Sequence, residues 1–268
     1  MDNTSAVVLS VFVAILGLVI GSFLNVVIYR LPNKIPIGLS RSACPSCGAT
    51  VRWYDNIPLV SFLALRGKCR ACGVRISWRY PLIEVLTGGL FVTLHSVFGF
   101  TPLFGVMAIL TSGLVAIFFI DVTHMIIPDK ITLPGIIVGL ALSFVPGGIG
   151  VVSALVGALV GGGALYAIAL AGDFIFKKES MGGGDIKMAA MLGAFLGVPR
   201  TFLVFFLAAV IGLLASIALI SFSSSIRQSR IIPFGPFLAS AGFVALTIGN
   251  QLLDYYCVNF LGSTCSLN

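Results

Sequence analysis

Along the chain, long apolar runs alternate with short polar breaks. The runs cover 6–28, 82–98, 102–122, 131–146, 150–172, 186–198, 201–222 and 234–253. A helix needs about 20 residues to cross the ~30 Å hydrocarbon layer. The pattern therefore predicts an all-α polytopic membrane protein of about eight transmembrane helices. Gly99-Phe100-Thr101, Pro146-Gly-Gly148 and Val198-Pro199 mark tight breaks. The run 186–198 reaches only about 20 Å, so the glycine loop before it is expected to sit below the membrane surface. Gly157, Gly161, Gly162 and Gly163 read as close helix packing rather than as a phosphate loop. No internal repeat is evident.

Composition agrees. Hydrophobic residues make up 58% of the chain, charged residues 9%, and the mean hydropathy is +1.11, values that exclude a soluble domain. The first run has no basic region before it and no small-residue cleavage site, so Ala6–Ile28 is read as a retained helix. The net charge of +7 does not mark a nucleic-acid partner, because the bases lie between apolar spans. Nine of the sixteen fall in one insert, residues 29–81, whose only acid is Asp55. The positive-inside rule makes that insert cytoplasmic. Threading the eight spans from it leaves Arg200 as the only base outside and places both termini there. The expected domains are a first helix (1–28), the insert (29–81), a membrane domain (82–253) and an extracytoplasmic tail (254–268).

Cys44-Pro-Ser-Cys47-Gly and Cys69-Arg-Ala-Cys72-Gly are two C-x2-C knuckles separated by 21 residues. Four thiolates suit a closed tetrahedral zinc site with no open position, so the metal is expected to be structural. A reducing cytoplasm argues against disulfides there. Cys257 and Cys265, in the outside tail, are expected to pair where the compartment is oxidising.

Acids are scarce, nine in 268 residues, and ionisable groups at membrane depth are costly to place. Asp185 follows Gly182-Gly-Gly184, and Asp121 ends an apolar run 64 residues earlier. Both fall at cytoplasmic helix ends. Two carboxyls that share a proton divide the work of aspartic proteolysis: the ionised one takes a proton from water and the protonated one donates to the carbonyl oxygen. The alternatives are a helix N-cap for Asp185 and a solvated terminus for Asp121. Asp129 reads as the N-cap of the short fourth helix. Glu84 is expected to pair with a nearby base or to line the site, and Asp173 and Glu179 read as loop acids. Lys187 is expected to modulate the site or position the chain. His95 and His124 are isolated, and Asn25 with Ser22 reads as interhelical glue.

These residues resemble the bacterial type IV prepilin peptidases, membrane aspartic proteases of the Gly-x-Gly-Asp class. The resemblance is carried by Gly21-Ser-Phe-Leu-Asn-Val-Val-Ile-Tyr-Arg-Leu-Pro32, both knuckles, Arg79-Tyr-Pro-Leu-Ile-Glu84 with Thr87-Gly88, Asp121 through Pro128-Asp129, and Gly182-Gly-Gly184-Asp185-Ile-Lys187. It implies an inner-membrane enzyme that cuts the leader from prepilins and pseudopilins at the cytoplasmic face. It also implies methylation of the new N-terminus from S-adenosylmethionine. Asp121 and Asp185 would carry proteolysis, with Gly182, Gly184, Lys187, Asp129 and Glu84 shaping the site. Two other readings are a peptidase without methyltransferase activity and an ion-coupled transporter; two acids at one membrane face and the lack of an inverted repeat argue against the transporter.

Overall fold

The structure, a computed structural model, describes residues 3–38, 42–178, 180–222 and 232–262. Among them regular structure is helical, apart from two isolated β-bridges. Six helices among the described residues are long and apolar enough to cross a membrane. The chain is therefore a multi-pass membrane protein, and it forms two compact units, Met1–Phe104 and Gly105–Asn268.

In the first unit, α1 (Asn3–Arg30) packs along α3 (Arg79–Phe98). Glycine permits this contact. A β-carbon added at Gly17 would lie 2.7 Å from Gly88 Cα, and one at Gly21 would lie 2.7 Å from Glu84 Cα. Small residues bring membrane helices close where dispersion, rather than hydrophobicity, drives their association. Buried Asn25 joins the same pair: its Nδ2 donates to Gly21 O at 3.3 Å and to Tyr80 O at 3.1 Å, the interhelical role expected of it. Between the two helices lies the polar insert, with a 3₁₀ turn (Trp53–Asn56) and the short α2 (Val60–Ala64). At the other end of α3, Gly99 (φ 63°) donates to His95 O at 2.9 Å and makes the expected tight turn.

The second unit holds most of α4 (Pro102–His124), then α5 (Asp129–Leu142), α6 (Val151–Phe176), α7 (Gly183–Phe222) and α8 (Gly235–Tyr256), with a π-helical turn at Cys257–Leu261. The eight apolar runs map onto these helices once α7 is seen to break. Gly197 (φ 74°, ψ 175°) interrupts its 40 residues. Proline at 199 cannot donate to the carbonyl of Phe195, and glycine one residue before the expected break absorbs the turn. The run 131–146 ends early, at Leu142, where Gly147 and Gly150 turn the chain with positive φ. Conversely, α6 outlasts its apolar run. Asp173 therefore lies in the last turns of α6 rather than in a loop, and its carboxylate accepts the Ser180 N–H at 2.6 Å, closing the connection to α7. Glu179, Arg227, Arg230 and Cys265 lie outside the described residues; Cys257 is disulfide-bonded.

α6 and α7 make the closest approach of the unit. A β-carbon at Gly161 would lie 2.6 Å from Ala189 O, one at Gly162 would lie 3.1 Å from Ala190 Cβ, and Gly157 meets the Gly193 carbonyl. Three of the four glycines noted in the sequence thus serve packing, whereas Gly163 faces open space. This contact sets the height of α7, whose first turn carries Asp185.

Candidate active site and metal cluster

Asp121 occupies the last turn of α4 and is 5% exposed. Its Oδ2 accepts the backbone N–H of Gly235 at 3.1 Å. Gly235 opens α8, so this N–H is one of the donors a helix leaves unpaired at its start, where the helix dipole also favours an anion. No side chain is tolerated there: a β-carbon would stand 2.5 Å from Asp121 Oδ2 and 3.0 Å from Ile127 Cδ1.

Asp185 approaches from α7. That helix starts at Gly183, so Asp185 lies within its first turn rather than at the N-cap, and its N–H donates to Gly182 O at 3.1 Å. Its Oδ1 is buried with no hydrogen-bond partner, an unusual condition that calls for a reason. The two carboxyls are near enough for Asp121 to act coulombically on Asp185. Ile127 is the wedge between their supports. It lies against Gly235, and a β-carbon at Gly184 would sit 2.7 Å from Ile127 Cβ. Among the three glycines before Asp185, Gly184 therefore admits the neighbouring chain, and none of them has a positive φ.

Asp129 departs from its expected role. Pro128 is the N-cap of α5 and Asp129 its first residue. Its carboxylate instead receives Lys187 Nζ at 2.7 and 2.8 Å, tying the start of α5 to the start of α7 two residues beyond Asp185. Glu84 belongs to the first unit. Among the described residues it pairs with no base: buried at 8% exposure, its Oε2 accepts the Leu59 N–H at 2.9 Å. Leu59 has a left-handed backbone (φ 59°), so Glu84 holds a costly turn at the root of the insert.

The four cysteines of the insert are brought together as the spacing predicts. All four Sγ atoms lie within 4.8 Å of one another, with Cys44 and Cys72 at 3.9 Å. A tetrahedron with metal–sulfur bonds of about 2.3 Å places sulfurs about 3.8 Å apart, so the cluster fits one metal ion. Each knuckle is closed in the same way. Cys44 N donates to Ala49 O and Gly48 N to Cys44 O, while Cys69 N donates to Val74 O and Gly73 N to Cys69 O. Gly48 and Gly73 share φ 71°, and the bridges Ala43–Thr50 and Lys68–Arg75 follow. Backbone donors at Cys47 and Ser46, with nearby thiols, lower the Cys44 thiol to about 6, whereas, against a backbone donor at Val74, desolvation and the neighbouring thiols raise Cys72 to about 11, an asymmetry within one sulfur network. Outside the cluster, Arg70 holds the Asp55 carboxyl below the usual carboxylate range through contacts of 2.7–3.2 Å.

Sequence reasoning missed two things. Gly235 gave only a weak signal, the Gly-Pro step at the head of the last apolar run. The knuckles form a repeat at an offset of 25: Cys44, Cys47, Gly48 and Trp53 correspond to Cys69, Cys72, Gly73 and Trp78.

The family model described as the bacterial peptidase A24 N-terminal domain matches residues 15–98, and that of the type IV leader peptidase family matches residues 108–217. The chain is similar to proteins named prepilin leader peptidase/N-methyltransferase. That of Aeromonas hydrophila is 39% identical over 275 residues, covering 93% of this chain and 94% of the relative. That of Stutzerimonas stutzeri is 40% identical over 267 residues, 90% and 91%. That of Myxococcus xanthus is 48% identical over 187 residues, which is 70% of this chain but 56% of the relative. No solved structure matches. With both family models in tandem and two of these relatives aligned along more than 90% of their length, the chain belongs to the type IV leader peptidase family.

Proposed function

We propose that this chain cleaves the leader from prepilins and pseudopilins and then methylates the new N-terminal amine. The observation that carries the peptidase half is that the supports of Asp121 and Asp185, Gly235 and Gly184, close on the same residue, Ile127, with Asp185 Oδ1 left buried and unpartnered. Two coupled carboxyls activate water and protonate the amide without a nucleophilic side chain. The Gly235 N–H fixes Asp121 Oδ2, which leaves Oδ1 for the reacting water or the second acid. Gly182 and Gly184 keep side chains away from the approach to Asp185. Asp129 and Lys187 tie the start of α5 to the start of α7, two residues beyond Asp185.

Zinc in the four-cysteine cluster makes the insert a closed structural module; a full sulfur shell leaves no site for substrate. In this reading S-adenosylmethionine supplies the methyl group. The groove of about 630 Å³ beside the first knuckle does not fit it. Among the residues that line the groove, Arg52, Trp53, Tyr54 and Asn56 included, none is a carboxylate, and Arg52 opposes the positive sulfonium. The basic insert supports a cytoplasmic orientation in a bacterial inner membrane, with the aspartates on the same side.

The test is mass spectrometry of a prepilin peptide incubated with purified protein and S-adenosylmethionine. Asp121→Asn and Asp185→Asn should each lower cleavage by at least about 100-fold while still methylating a pre-cut peptide. Near-normal cleavage in either variant would move the catalytic role elsewhere. A shortened but unmethylated product from the parent protein would leave a peptidase alone.

A further inference from the structure

The repeat in the insert ends each time in a tryptophan that the fold does not cover. Trp53 is 80% exposed and Trp78 is 76% exposed, and these are the only tryptophans in the chain. Each stands nine residues after the first cysteine of its knuckle. Nearby, α2 turns Leu63 and Val60 outward, at 72% and 58% exposure. Phe62, on the same short helix, packs against Trp78 with ring centroids 4.9 Å apart. The knuckles are tied together across Arg70, which pairs with Asp55 and lies over the Tyr54 ring at 5.6 Å.

Charge selects the occupant. The insert carries nine bases against Asp55, a formal +8, and four thiolates around one divalent ion still leave +6. Asp55, its only acid, is already engaged by Arg70. A surface that combines exposed indoles, aliphatic side chains and a large positive charge matches the headgroup region of an anionic bilayer, where tryptophan concentrates and lysine and arginine meet lipid phosphates. Both ends of the insert run into membrane helices: Arg30 ends α1, and Trp78 immediately precedes α3. The bilayer thus borders the module at both of its ends.

We propose that the cysteine module lies on the bilayer, with Trp53 and Trp78 as paired anchors and its exposed bases Lys34, Arg52, Arg66, Lys68 and Arg75 on anionic headgroups. The two metal knuckles fix the separation of the anchors, so the metal shapes a membrane-docking surface. This proposal stands apart from the peptidase and methyltransferase readings.

The experiment uses the full chain in lipid nanodiscs and reads intrinsic fluorescence. Trp78→Phe leaves Trp53 as the only indole, and Trp53→Phe leaves Trp78. Trp78 adjoins a membrane helix, so Trp53 is the decisive reporter. The expected result is Trp53 emission shifted to the blue and a loss of intensity with bromine-labelled phosphatidylglycerol. That quenching should be larger than with bromine-labelled phosphatidylcholine, and both effects should weaken when a chelator removes the metal. Trp53 emission typical of water, unquenched by either lipid, would overturn the proposal. Equal quenching by the two lipids would overturn its electrostatic part. A blue shift that appears only when a prepilin peptide is added would overturn it in favour of a peptide-binding face. Unchanged metal content in both variants is the control for folding.

Discussion

The cysteine module and the aspartate site are held together by opposite means. In the module every element lies within a few residues of its partner: a cysteine, a glycine with positive φ, a short bridge, and then the same again 25 positions later. Only the meeting of the two knuckles is long-range, and four sulfurs enforce it. In the aspartate site nothing is local. Asp121, Ile127, Gly184, Asp185 and Gly235 come from three helices and a connection. Glycines set their separations by letting backbones and carboxylates close to contact. A metal staple suits a segment too small to build its own core, whereas a site at the ends of membrane helices is assembled from tight helix contacts. It follows that the module should fail by losing its ion and the site by gaining a methyl group.

The largest expected effect tests the second half of that statement. In Gly235→Ala the new β-carbon falls 2.5 Å from Asp121 Oδ2 and 3.0 Å from Ile127 Cδ1, so either the carboxylate or the start of α8 must shift. Displacement of about 1 Å in a reacting group costs on the order of 100-fold in rate. Peptide cleavage measured by mass spectrometry should fall by about that factor, with metal content and membrane yield unchanged. Cleavage within a few-fold of the parent protein would show that the site is not held to this tolerance.

The same contrast explains what could be read in advance. The module was legible because metal ligation and tight turns need particular residue types at fixed short spacing; Cys44, Cys47, Cys69 and Cys72 come together as expected. Helices were legible because a bilayer demands long apolar runs, and even the break in α7 was placed within a residue or two. The two catalytic candidates stood out because acids are scarce at membrane depth. Roles that depend on a tertiary partner were not legible. Asp129 looks like an N-cap until Lys187, 58 residues away, is seen to hold it. Glu84 turns to a backbone N–H 25 residues away rather than to a base. Gly235 contributes a backbone donor, and a backbone donor leaves no mark in the amino-acid type.

Breaking the module should have a smaller effect on cleavage and a decisive one on the metal. Cys72→Ser removes one of four thiolates, and folding energy in such sites comes from the metal. Elemental analysis should show loss of the ion, and limited proteolysis should cut within residues 42–78. Cleavage of a short peptide by the aspartates should fall much less than in Gly235→Ala. An unchanged metal content would remove the four-thiolate site, and equal loss of cleavage in both variants would dissolve the distinction between the regions.

The smallest effect belongs to the one contact among the described residues of the aspartate site that works as a charge pair. Lys187 and Asp129 are 40% and 54% exposed, and pairs so exposed contribute about 0–1 kcal/mol because water screens them. Lys187→Met or Asp129→Asn should therefore slow cleavage by no more than about five-fold. High salt should blunt the difference from the parent protein, since screening acts on exposed pairs. Reversing both charges, Asp129→Lys with Lys187→Asp, should recover part of the loss if the pair acts by holding α5 to α7. A loss as large as that of Asp185→Asn, with no recovery in the reversed pair, would mean that Lys187 or Asp129 touches the substrate. In that case the site would extend beyond the two aspartates, and a reacting group rather than packing alone would set its geometry.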